Sequence, residues 1–159
     1  MKKILLTLAL GLTILSANAQ IQKLAGPRLG LTGITNGEIS EELETNFLTQ
    51  YGWQWESRFA DGGGDVVGVV EWVVLVAGME QGYFLPSVSS IIGARTGNGM
   101  EYGLGPNLSL AGIGMVFSVG KNFTSGNLNL PINLAFVPGR DGSGSRISIM
   151  VGFNMSNSK

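Results

Sequence analysis

Glu56, Arg58, Glu71, Arg95, Glu101 and Arg146 fall inside segments that read as β-strands. Each lies on the polar face of its strand, so three acids and three bases are expected to share one interior. A buried charge must be paired or it costs several kcal/mol. The chemistry open to such a cluster is a polar binding site or a proton path. The expectation is instead a structural network of ion pairs that fills the lumen of a barrel.

The rest of the chain offers little to a catalyst. It has no histidine and no cysteine. That removes the commonest general base and metal ligand, any Ser-His-Asp site, any disulfide and any lipid-anchored cysteine. Asp61-Gly-Gly-Gly-Asp65 could offer two carboxylates to calcium, but calcium takes about six to eight oxygens, and a tight turn is expected. Gly114–Asn122 (GMVFSVGKN) imitates a phosphate-binding loop with one residue too many between its glycines and Asn122 after Lys121. The G-x-G pairs Gly103/Gly105 and Gly112/Gly114 lack a third glycine and are expected to be small-residue strand positions. No catalytic, cofactor-binding or metal-binding residue is assigned, and the chain reads as non-enzymatic.

The elements that must position these charges are strands. Turn residues separate segments at Arg28–Thr35, Thr49–Phe59, Val66–Ala77, Phe84–Arg95, Met100–Gly105, Leu110–Lys121, Leu128–Val137 and Arg146–Met155. The fold class is all-β, with about eight strands on short connections. Gly37–Phe47 differs. Ile39, Leu43 and Phe47 recur at helical spacing, Asn36 could cap the start, and glutamates fill the first turns. It predicts one short amphipathic helix between strands 1 and 2, covering one end of the β structure. A plug or partner-docking element is the alternative.

Ahead of these strands, Met1-Lys-Lys3, an apolar run and Ala17-Asn-Ala19 match a signal peptide over residues 1–19, leaving one domain over 20–159. That domain carries eight basic and eleven acidic residues, a formal net charge of −3. It has no basic nucleic-acid footprint. Charged residues are 13% of the chain, against about 25% on average, which is low for an exported surface in water.

Face by face, the strands explain the deficit. Ile147, Ile149, Val151 and Phe153 share one face of the last strand. Leu128, Leu130, Ile132, Leu134 and Phe136 share one face of the strand before. The opposite faces are mostly Gly, Ser, Asn and Ala. Small residues suit a narrow closed barrel, and a continuous apolar face with aromatics suits lipid. Trp53, Trp55, Trp72, Tyr51, Tyr83 and Tyr102 would form interfacial girdles or ordinary sheet packing. Against a membrane barrel stand Val66–Ala77, apolar on both faces, and Pro86 and Pro131 within strands.

The signal peptide, the alternating strands and the final ISIMVGFNM (Ile147–Met155) resemble small, largely uncharacterised outer-membrane β-barrels of Gram-negative bacteria. Glu101–Gly120 (EYGLGPNLSLAGIGMVFSVG) is similar to hairpins of such proteins. The resemblance implies an antiparallel up-and-down barrel in the outer membrane, partnered by lipid and by the barrel-assembly machinery. Its implied role is structural or surface-interacting, with passage of small solutes a further option. No cofactor is expected. Two alternatives remain at this level: an exported soluble barrel whose apolar face lines a ligand cavity in the periplasm, and a subunit of an envelope complex docked through the helix.

Overall fold

The computed structural model describes residues 23–61, 65–126, 128–140 and 142–156. The expected signal peptide and the middle of the Asp61–Asp65 turn lie outside the described residues. In chain order the elements are β1 (Lys23–Ile34), a helical turn α1 (Glu38–Glu42), β2 (Phe47–Asp61), β3 (Val66–Ala77), a 3-10 turn (Met79–Gln81), β4 (Leu85–Thr96), β5 (Met100–Ser109), β6 (Gly112–Ser125), β7 (Leu128–Val137) and β8. The last strand runs over Arg146–Gly152 and resumes over Asn154–Ser156.

Each strand pairs antiparallel with the next, and β8 pairs back onto β1. The sheet is therefore closed, an eight-stranded up-and-down barrel with no edge. Its stagger can be walked. Lys23 lies opposite Ser57, then Val70, Ile92, Leu104, Phe117, Phe136 and Ile147, and the row returns to β1 at Gly33. The shear is thus ten residues, so the strands tilt by about 35–45° in the usual manner of barrels.

Three proline positions fit this ladder. The pairing of β8 lapses only around Phe153, and its register is the same on both sides of the lapse. That register sets Pro27 of β1 opposite Phe153 and Pro131 of β7 opposite Gly152. Neither proline has an N–H to give, so two prolines flank one strand and interrupt its bonds without shifting it. Pro86 lies at the end of β4, beyond its pairing with β5.

The observed elements correct some expected boundaries. β5 continues through Pro106 and Asn107 to Ser109, and the turn falls at 110–111 rather than after Gly105. The helix is one turn, not an eleven-residue element. Glu44 takes a left-handed φ of 52°, and Phe47 already belongs to β2, paired with Gly33. Asn36 is not the cap; Ser40 Oγ accepts from Gly37 N at 2.9 Å, and Asn36 Oδ1 accepts from Asn46. Leu43 is buried with Ile34, Leu48 and Ala77, and Tyr83 and Leu85 pack against them. This is the expected cover over one end, and it takes Leu43 away from any docking role.

The two ends differ. One has the short connections 62–65, 97–99 and 126–127; the other has 35–46, 78–84, 110–111 and 138–145. They are called the turn end and the loop end below. At the loop end, the β7–β8 connection is tied to the β1–β2 connection by Thr35 N to Ser145 O at 2.8 Å and Glu38 N to Gly142 O at 3.0 Å.

Every strand turns its apolar face outward. Along β7, Leu128, Leu130, Ile132, Leu134 and Phe136 are exposed while Asn129, Pro131, Asn133 and Ala135 are buried. The soluble alternative required that face to line a cavity, and it does not. Lys121 is a charged side chain on this outer face, and its Nζ reaches the carbonyl of Asn98 in a turn-end connection at 2.6 Å. Trp53, Trp55, Trp72 and Tyr51 form a one-sided patch on β2 and β3, with Trp55 opposite Trp72. Tyr102 also faces outward, on β5, and Tyr83 belongs to the cap.

Candidate functional site

The interior is narrow, and its residues explain how it is filled. Gly103, Gly105 and Gly120 face inward because there is no room for more. A Cβ on Gly105 would run into the carbonyl of Ser90 and come within 3.0 Å of Ile91 Cα. The remaining inward side chains sort into layers along the axis.

The layer toward the turn end is charged. Arg95 on β4 lies directly opposite Glu101 on β5. Its Nε donates to Glu101 Oε1, while Nη1 and Nη2 donate to the two oxygens of Glu56 at 2.7 and 2.5 Å. One guanidinium therefore holds two carboxylates, bidentate to Glu56, the geometry that makes arginine suited to buried pairs. Glu56 is 1% exposed, Arg95 5% and Glu101 5%. Glu101 Oε2 also accepts from Asn133 Nδ2 at 3.5 Å.

Glu71 stands opposite Glu56 across β2 and β3. It is buried and forms no ion pair or hydrogen bond among the described residues. With Glu101 and Asn133 it lines a cavity of about 10 Å³, room for about one water. Arg58 points to the same end, with its Nε buried and unpartnered among the described residues. Of the six charges named from the sequence, the structure brings Glu56, Arg95 and Glu101 together. Glu71 borders this group, and Arg58 does not join it.

Sequence reasoning missed a second arginine. Arg28, 2% exposed, donates to Gln54 Oε1 and Asn154 Oδ1 at 2.8 Å each and to Pro27 O at 2.9 Å. The signal was present, because Arg28 alternates with the outward Leu29 and Leu31. The expected first strand began at Arg28, whereas the true strand begins at Lys23 and sets Arg28 well inside it. Below these groups, Asn129 Oδ1 accepts from Asn122 and Thr124 at 3.2 Å.

Above the charged layer, Val73, Leu75, Ile91, Val116, Ala135 and Met150 form an apolar layer across the lumen. Val66–Ala77 is apolar on both faces for this reason: Val73 and Leu75 serve the interior while Trp72 and Val74 face out. Arg146 lies beyond this layer, toward the loop end, and is separate from the other five charges. It donates to Ser109 Oγ at 3.0 Å and Asn107 Oδ1 at 3.1 Å. Asn107 in turn donates to Ser89 at 2.9 Å, and Thr32 and Ser148 share a hydrogen bond of 2.7 Å.

Outside the lumen, Glu80 in the 3-10 turn ties the β3–β4 connection to β2. Its carboxylate accepts from the N–H and the hydroxyl of Thr49. These bonds hold it below the usual carboxylate range.

No family model and no curated protein matches the chain. Among solved structures, the fold matches that of Ail, the attachment invasion locus protein of Yersinia pestis, crystallised with the heparin analogue sucrose octasulfate. The TM-score is 0.52 at 9% identity, over 85% of this chain and 96% of that one. A second Ail structure gives a TM-score of 0.31 at 12% identity over the same shares. Ail is an eight-stranded outer-membrane β-barrel, and the present chain has the architecture of the small outer-membrane barrels.

Proposed function

We propose that this chain is a non-enzymatic integral protein of a bacterial outer membrane, with a structural or surface-interaction role. One observation carries the proposal: a closed barrel that exposes its apolar face and buries its charges. Lipid requires that arrangement and water penalises it. The short turns would then face the periplasm and the longer connections the exterior. Lipid is the main partner of the outer face, and the barrel-assembly machinery would insert it.

Solute passage receives less support. The apolar layer of Val73, Ile91, Val116, Ala135 and Met150 crosses the lumen, and eight strands leave an interior that side chains can fill. The expected current in a planar bilayer is near baseline. The exterior connections carry Glu38, Glu41, Glu42, Glu44 and Glu80 with Arg140 as counter-charge. Such a mouth repels polyanions, so binding of sucrose octasulfate, the ligand crystallised with Ail, is not expected here.

The deciding experiment is expression of the full chain in a Gram-negative host, followed by a urea wash of the membranes and a gel run with and without boiling. Retention in the pellet and a mobility shift on boiling support the proposal. Release into the soluble fraction overturns it.

A further inference from the structure

Arg146 is a cation that the charged layer at the other end does not use. Its two hydrogen-bond partners, Ser109 and Asn107, are neutral, and no carboxylate pairs with it among the described residues. A guanidinium has five N–H donors, so most remain to be given. The side chain lines a cavity of about 50 Å³ at the loop end. Ser87, Ser89 and Ser148 contribute hydroxyls to that cavity, while Val116, Ala135 and Met150 contribute an apolar wall. Gln50 Oε1 is buried there without a partner among the described residues. Half a turn of that carboxamide presents its NH2 to the cavity instead.

We propose that this cavity binds a small monocarboxylate of the acetate–propionate class, with the carboxylate on Arg146 and the alkyl end against Val116, Ala135 and Met150. The planar fork of arginine matches a carboxylate better than a spherical halide. The apolar wall favours a ligand with a short hydrocarbon tail. The volume excludes a sugar, since a single water already takes about 10–15 Å³ on this measure. The glutamates on the neighbouring connections oppose multivalent anions more than a monovalent one. The site is independent of whether the barrel conducts.

The test is NMR of the ¹⁵N-labelled barrel in detergent micelles, titrated with sodium propionate and, at matched ionic strength, with sodium chloride. Saturable shifts at the Arg146 Nε–H and at the amides of Ser87, Ser89 and Ser148, absent with chloride, are expected. Arg146→Gln should weaken binding by about tenfold or more, the worth of a charge-assisted bond. Ala135→Leu fills the cavity while leaving the guanidinium in place, and should abolish binding. A boiling-dependent gel shift for each variant reports the closed barrel separately, so loss of the site and loss of the fold are distinguished. If Arg146→Gln does not close, Ala135→Leu decides alone. Absence of saturable shifts, equal shifts with chloride, or undiminished binding in a closed variant would overturn the proposal.

Discussion

Replacing Arg95 with methionine tests the interior most sharply. Among the described residues, Arg95 is the one side chain that neutralises both Glu56 and Glu101 by direct contact. Its loss leaves two carboxylates inside the barrel, one of them with a side chain fully shielded from solvent. Removing one partner of a buried pair costs about 3–5 kcal/mol. Replacing all three residues (Glu56→Met, Arg95→Met, Glu101→Met) removes the charges together. That should return stability to within about 1 kcal/mol of the parent, or exceed it. Urea unfolding in phospholipid vesicles would read both, through Trp53, Trp55 and Trp72, which lie on the outer face and pass from lipid to water. With an m-value of about 1–3 kcal/mol/M, the single variant should lose about 1 M or more in midpoint. A loss under about 1 kcal/mol in the single variant, or a triple variant as unstable as the single, would refute the network's role.

Further predictions follow from other parts of the barrel. Leu134→Arg places a charge in the outer apolar belt and should cost about 2–4 kcal/mol in vesicles, measured by the same titration; no cost would contradict lipid contact there. Gly105→Val drives a side chain into the Ser90 carbonyl and should cost about 1–3 kcal/mol or block closure, visible as loss of the boiling-dependent gel shift. Glu80 has a depressed folded pKa, so its contribution to holding the β3–β4 connection is complete above the ordinary carboxylate value and is lost as pH falls through the folded one. Protection of the Thr49 amide from exchange, corrected for the intrinsic rate, should fall over that acid window in the parent and show no such dependence in Glu80→Gln.

The sequence was most informative about what is local. Alternation in β7 and β8 assigned the outward-facing residues correctly, because side-chain direction in a strand has a period of two. The same alternation assigned Glu56, Glu71, Arg95, Glu101 and Arg146 to the interior. It failed where a local signal was overruled. Helical spacing through Phe47 yielded to pairing with Gly33, and Pro106-Asn107 did not stop β5. Pro106 breaks the β4 side of the ladder, where no pairs are made between Ser89–Asn107 and Ile92–Leu104, but the pairing with β6 carries the strand onward.

Which charges meet is not a property of any segment. The sequence by itself determined that this chain forms amphipathic strands with apolar, lipid-suited faces and polar, small-residue faces. Only the closed tertiary structure decided the height of each inward residue. The ten-residue shear and the register set Arg95 beside Glu56, 39 positions away in sequence, and lifted Arg146 beyond the apolar layer to a cavity of its own. Strand pairing across the barrel fixes those heights, and it depends on contacts among all eight strands at once.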